Sequence, residues 1–199
     1  MSYTYKINYL KASLLVGESM IIAQQLQSGL DSLDVQKLVL KNNLLGTKSL
    51  ITTKDYCGII LARFKLMSAD FICLIASSSR EIVTQALFCA TIKYSPLVGD
   101  FLHFKVRERI NAFYEDIPYS CWDEYIDECR TRDPKMGQLA ESSYKKLRSQ
   151  TYKMLIDAGF ISDTKTKLIK KPSFSPNLIN QLYKDKEEYI LSCLGKMIW

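Results

Sequence analysis

Lys145, Lys146, Arg148 and Lys153, with Gln150 among them, fall within nine residues, and Lys165, Lys167, Lys170 and Lys171 follow within the next eighteen. Long cationic side chains at this density suit contact with the oxygens of a polyanion, and Ser149 and Gln150 add hydrogen-bond donors for the same oxygens. The chain carries 27 Lys+Arg against 21 Asp+Glu, a formal net charge of +6, but the excess is not diffuse. Residues 141–171 hold eight basic and three acidic side chains, whereas residues 111–133 hold seven acidic side chains and two arginines. A concentrated excess of one sign points to a charged partner more than to general solubility. These nine residues are therefore the candidate phosphate-contacting set. Lys105, Arg107 and Arg109 form a secondary basic patch, for which the charged outer face of a helix that also carries Glu108 is the simpler account.

The remaining chemistry is sparse. His103 is the one histidine and stands without metal-ligand spacing, and six cysteines are scattered with no CxxC pair. The sequence has no glycine-rich phosphate loop and no nucleophile elbow. We therefore assign no catalytic residue, no metal ligand and no cofactor, and expect a protein that is not an enzyme. Asp123, Glu124, Asp127 and Glu128 share a helix face by their spacing and read as an acidic outer surface, suited to a basic partner. Free cysteines inside apolar runs and the lack of a secretion signal lead us to expect a soluble protein of the bacterial cytoplasm, with no membrane partner.

The elements that must position these residues are mostly helices. Apolar spacing of three and four predicts a first helix through Leu14, Leu15, Ile21, Ile22 and Leu26 up to Gly29. A second spans Val35 to Leu40 and ends near Asn42-Asn43, and a third starts near Thr52 with Asp55 as its capping partner and runs to about Met67. One or two buried helices fill Asp70 to Pro96. Phe101, Phe104, Ile110 and Phe113 predict the core face of a further helix, closed by Pro118. An acidic helix then carries Trp122, Tyr125, Ile126 and Cys129, followed by a short helix around 136–140. A basic helix runs from Ser142 to Ala158, with Tyr144 on its apolar face and Tyr152 among the cations. Phe160-Ile161 and Leu168-Ile169 bracket a polar turn and predict a small β-hairpin, and Ser175-Pro176 starts one last helix that continues through Leu194. The fold class expected is all-α with this small C-terminal hairpin wing. The change of texture near Pro118 suggests a helical body at 1–118 and a C-terminal module at 119–199.

Helix, short helix, basic helix and lysine-tipped hairpin is the order of a winged helix-turn-helix, in which one helix enters a major groove and the hairpin straddles phosphates.

The chain also resembles the BrxA family, a small component of BREX bacteriophage-defence systems. The likeness is carried by Tyr9-Leu10-Lys11-Ala12-Ser13-Leu14-Leu15 with Glu18, by Asn43-Leu44-Leu45 before Ser49 and Thr52-Thr53-Lys54, and by Arg63-Phe64. Further along it is carried by Trp122, Asp133-Pro134, Ser143 to Leu147, Met154 to Gly159 and Leu168 to Pro172. Tyr144, where threonine is expected, and Phe64, where leucine is expected, depart from it. The resemblance implies an all-helical body similar to the antitermination factor NusB, double-stranded DNA as ligand, and other BREX subunits as partners. Two alternatives stay open: an assembly adaptor that docks through the helix around Trp122 and the last helix ending at Trp199, and RNA binding by the helical body.

Overall fold

A computed structural model describes residues 5, 7 and 9–195. In chain order the helices are α1 (Val16–Gln27), α2 (Ser32–Asn42), α3 (Leu50–Phe64), α4 (Ala69–Ser77), α5 (Arg80–Tyr94), α6 (Pro96–Phe101) and α7 (Arg107–Asn111), with a π-helical turn, Leu102–Val106, joining the last two. They continue with α8 (Tyr119–Arg132), α9 (Pro134–Gly137), α10 (Glu141–Asp157), α11 (Pro176–Lys184) and α12 (Glu188–Leu194). The fold is all-α, and no helix among the described residues is long and apolar enough to cross a membrane.

The described residues form two compact units, one of residues 14–94 and 174–187, the other of residues 5, 7, 9–13, 95–173 and 188–195. This division differs from the expected one at 118, because change of surface charge along a chain does not report which core a segment joins.

In the first unit, helix starts are set by local side chains. Asp31 accepts the amide of Asp34 at 2.8 Å, Ser49 that of Thr52 at 3.2 Å and Ser68 that of Phe71 at 3.1 Å, each satisfying a donor the helix cannot. The cap of α3 is thus Ser49, and Thr52 lies inside the helix. Leu15, expected within α1, precedes it in the left-handed region at φ 56°. Ile22, Val35, Val39, Cys57, Ile60, Phe64, Phe71, Ile75, Leu178 and Leu182 are fully buried or nearly so, at helical spacing within each element. Ser68 Oγ donates to Asp185 at 2.7 Å and Gln85 accepts the amide of Ser175 at 2.9 Å, which sew α11 to this unit despite its distance in sequence.

Arg63 is the largest charged residue buried here. Its Nη1 donates to the Leu14 carbonyl at 3.1 Å, and its guanidinium lies 6.0 Å from the Tyr94 ring centre. Burial pulls its pKa down to about 10, so it stays charged at neutral pH.

In the second unit, Phe101 centres an aromatic cluster, with Trp122 edge-on at 5.0 Å, Tyr125 at 5.4 Å and Tyr152 at 6.1 Å. Tyr152, expected among the cations, is fully buried and donates to the Pro118 carbonyl. Two other expectations for this unit's core are overturned: Phe104 is 48% exposed and Phe113 is 93% exposed. The π-helical turn accounts for Phe104, since one extra residue per turn rotates the side chains beyond Phe101 away from the α-helical stripe. Phe113 lies past the end of α7, in the left-handed region at φ 58°, where its amide meets the Ile110 carbonyl and that of Tyr114 reaches Arg109. Gly159 makes the same exit from α10 at φ 84°. Glycine does so freely, whereas a residue with a Cβ loses roughly 1–2 kcal/mol.

The single last helix expected from the sequence is two. Lys186 at φ 55° ends α11, and α12 belongs to the other unit, where Tyr189 donates to Asp100 at 2.8 Å. Replacing Arg63 tests the packing of the first unit: Arg63→Ala removes its volume and leaves the Leu14 carbonyl without that donor. The expected cost is about 3 kcal/mol in urea unfolding, and a loss under about 1 kcal/mol would show the site to be hydrated and loosely packed.

Candidate nucleic-acid interface

Within the second unit, α10 shows solvent one stripe: Ser142, Lys145, Lys146, Ser149 and Lys153 are all exposed, at offsets of three, four and seven that share a face. Leu147, Thr151, Met154 and Leu155 hold the opposite face in the core. Lys145 reaches Glu141 at 3.4 Å in an exposed pair that contributes little. Arg148 sits at the flank of the stripe, half-buried, with Nη1 3.2 Å from Asp123 of α8. Asp123 also accepts the Tyr144 hydroxyl, whose pKa is pushed up to about 12 by burial and by that bond. Gln150 is half-buried, and its carbonyl oxygen is enclosed without a hydrogen-bond partner.

The hairpin forms as a short ribbon of isolated β-bridges. Ile161 pairs with Ile169, Ser162 N–H donates to Leu168 O at 2.9 Å, and Lys170 N–H donates to Phe160 O at 2.8 Å. Its second arm is paired on the other side too. Asp116 bridges Leu168, Ile117 N–H donates to Lys167 O at 3.1 Å, and Ile169 N–H donates to Glu115 O at 2.8 Å. The sequence reading did not foresee this third stretch, because three residues are too few to show alternation.

At the tip, Asp163 accepts the amides of Lys165 at 2.7 Å and Thr166 at 2.8 Å, and the Thr166 hydroxyl at 2.8 Å. These bonds, those from Thr166 foremost, hold its carboxyl down at about 2.

Tyr119, the first residue of α8, joins helix and ribbon. The Arg148 guanidinium lies 4.5 Å and the Lys167 ammonium 4.4 Å from the centre of its ring. Sequence reasoning missed Tyr119, since a single aromatic between two charged runs has no spacing signature. Lys146, Lys153, Lys165, Lys170 and Lys171 are exposed, and none is in an ion pair among the described residues.

The other basic set is arranged differently. Lys105 binds Glu128 at 2.7 Å, a bond that raises its pKa. Arg107 donates to Ser192 O at 3.2 Å and to His103 Nε2 at 3.0 Å, while His103 Nδ1 lies 3.1 Å from the same Ser192 oxygen. Arg109 donates to both the carbonyl and the carboxylate of Asp116, at 2.6 and 3.0 Å, and covers the Tyr114 ring at 4.0 Å. All three are thus spoken for within the unit.

The acidic face of α8 is similarly engaged. Asp123 holds Arg148, Asp127 holds Arg130, and Glu128 holds Lys105 and Arg132. Trp122 is fully buried and unavailable as a docking residue, and Trp199 lies outside the described residues. Among the described residues no group of three His, Cys, Asp or Glu side chains could hold a metal ion.

Fold and surface together define an all-helical, two-unit protein that gathers unpaired lysines on one helix and an adjoining ribbon. The BrxA family model matches residues 3–186, and the chain belongs to the BrxA family. It is 32% identical over 190 residues to the BREX protein BrxA of Paramagnetospirillum magneticum, covering 96% of each chain. It is 26% identical over 181 residues to the BREX protein BrxA of Escherichia coli O9:H4 strain HS, covering 91% of this chain and 85% of that one. A crystal structure of an uncharacterized protein from Magnetospirillum magneticum superposes with a TM-score of 0.88 at 31% identity, covering 96% of this chain and 98% of the other.

The hairpin tip makes a direct prediction. A carboxyl whose folded pKa is depressed stabilises the turn fully above its ordinary value of 3.8 and loses that effect as pH falls through about 2. The Lys165 and Thr166 amide resonances should therefore titrate with a midpoint near 2, and a midpoint at 3.8 would mean the turn is not closed in solution.

Proposed function

We propose that this chain is a non-catalytic accessory component of a cytoplasmic BREX phage-defence system, working beside other BREX subunits and holding double-stranded DNA mainly through its phosphates. The family assignment supports the BREX context. The observation that carries DNA binding is the Tyr119 ring with Arg148 on one contact and Lys167 on another, since it brings α10 and the ribbon side by side and supports reading their exposed lysines as one positive surface. Around the helix, Lys145 follows Arg148 three residues away and leads to Lys146, Ser149 and Lys153; along the ribbon, Lys165, Lys170 and Lys171 extend the charge. Of these, Lys146, Lys153, Lys165, Lys170 and Lys171 are exposed and in no ion pair among the described residues, so they can neutralise phosphates and release the counterions condensed there without giving up an internal partner. Arg148, half-buried and held by Asp123 and Tyr119, supports the surface more than it reaches from it, and Gln150 is half-buried.

Such a surface gives affinity that depends on salt and little on base sequence. An A-form major groove is too deep and narrow for side chains to read, so a helix that offers its cations to a groove favours duplex DNA over duplex RNA. The adaptor alternative has less to stand on, with Trp122 buried and most of the α8 carboxylates paired within the unit.

The test is an anisotropy titration of a labelled duplex at about 50 and 200 mM salt. Lys146→Glu combined with Lys153→Glu should lower affinity on the order of tenfold or more at the lower salt and flatten the slope of log K against log salt by about two. An unchanged slope would remove these lysines from the interface. If wild type binds neither duplex DNA nor duplex RNA, and the double variant keeps phage resistance in cells while changes at Asp123 and Asp127 abolish it, the adaptor reading replaces this one.

A further inference from the structure

Phe113 violates two local rules at once. Its backbone sits in the left-handed region at φ 58°, at the helix-exit position that Gly159 fills after α10, and its side chain is 93% exposed. A glycine there would remove the strain and an apolar ring from water together, so neither helix geometry nor the core accounts for a phenylalanine. The exit itself is well made. The Tyr114 amide reaches Arg109 O at 3.0 Å, and the Tyr114 ring is covered by the Arg109 guanidinium, which is fixed in turn on Asp116. Phe113 is therefore an outward-pointing ring on a braced turn.

Its position indicates what it meets. Two residues on, Glu115 accepts the Ile169 amide, so the Phe113 turn leads into the stretch paired against the ribbon arm that continues to Lys170 and Lys171. Tyr114, 54% exposed, and Leu168, 47% exposed, lie on the same paired segments. The antiparallel pairing runs this segment alongside the arm that ends in Lys170 and Lys171, and an exposed ring beside these cations suits a ligand that offers them phosphates and the ring a flat base. A basic protein partner would be repelled by Lys165, Lys170 and Lys171, and the flat ring beside cations matches a nucleotide, which carries a π-face and a phosphate together.

We infer that Phe113 is a base-contacting residue that stacks on, or wedges beside, a nucleobase of the DNA held by the ribbon lysines. This rests on the DNA-binding reading above. Stacking releases no counterions, so it separates cleanly from phosphate contact.

The experiment compares wild type, Phe113→Gly and Phe113→Trp on a duplex carrying 2-aminopurine substitutions, following anisotropy at two salt concentrations, 2-aminopurine fluorescence and thermal unfolding. Phe113→Gly should melt at or above the wild-type temperature yet bind about tenfold more weakly with an unchanged salt slope. The 2-aminopurine change seen with wild type should disappear in it and be retained by Phe113→Trp. Wild-type affinity in Phe113→Gly would overturn the inference and leave phosphate binding standing, with a protein partner then the reason for the ring. A lower melting temperature in that variant would also overturn it, by making Phe113 structural. Failure of wild type to bind the duplex at all would overturn the DNA-binding reading itself, and this inference with it.

Discussion

Residues 167–170 are hydrogen-bonded along both edges, to residues 115–117 on one side and 160–162 on the other. A hairpin of this size is marginal alone in water, and a third stretch is what gives it a fixed place. That stretch in turn is fixed by its own neighbours. Asp116 is clamped by Arg109, and Pro118 offers its carbonyl to buried Tyr152. The ribbon is therefore an extension of the aromatic core around Phe101. Its lysines and the Lys167–Tyr119 contact inherit their positions from that core, as Arg148 does through α10.

Whether a cation is free to meet a ligand is decided by where its helix turns it. On α10, Lys146 and Lys153 fall opposite the buried face, while Arg148 falls beside α8 and is taken up by Asp123 and Tyr119. An arginine suits that flank, because its planar group can lie on a ring and bond a carboxylate together. The lysines suit the open stripe, where flexible, strongly hydrated ammonium groups can follow a backbone without needing one geometry. Residue type and position thus divide the positive charge between holding the surface together and presenting it.

Helix content, the buried stripes and the cation stripe of α10 were legible because each has a period that the sequence repeats: Cys57, Ile60 and Phe64, or Lys146, Ser149 and Lys153. The hairpin was legible from two apolar pairs around a polar turn. What stayed hidden has no period. The Phe101, Phe104, Ile110 and Phe113 series read as one stripe, but a π-helical turn shifts its register at Leu102–Val106 and the helix ends before Phe113. Tyr152 shares the polar character of its neighbours in sequence, yet its ring joins Phe101 and only its hydroxyl meets a polar group. The division into units escaped because it depends on α11 being bonded to Ser68 and Gln85, contacts that span about a hundred residues and leave no local trace.

Lys105, Arg107 and Arg109 show why composition alone misplaces a site. Read along the chain they are a basic patch of the same density as the α10 set. In space they fan out from the helix that spans the π-helical turn, and each meets a different segment: Lys105 meets Glu128 of α8, Arg107 the end of α12 at Ser192, and Arg109 the ribbon at Asp116. They act as three struts of the second unit. The difference from α10 lies in what surrounds each helix. Around α7, carboxylates and carbonyls stand within reach of each cation, and a half-buried charge must take them to offset its lost hydration. Along the outer stripe of α10 neither Lys146 nor Lys153 is in an ion pair among the described residues. Positive charge left outside ion pairs on α10, beside a region whose own cations are each engaged within the unit, is the contrast on which the proposed contact with DNA rests.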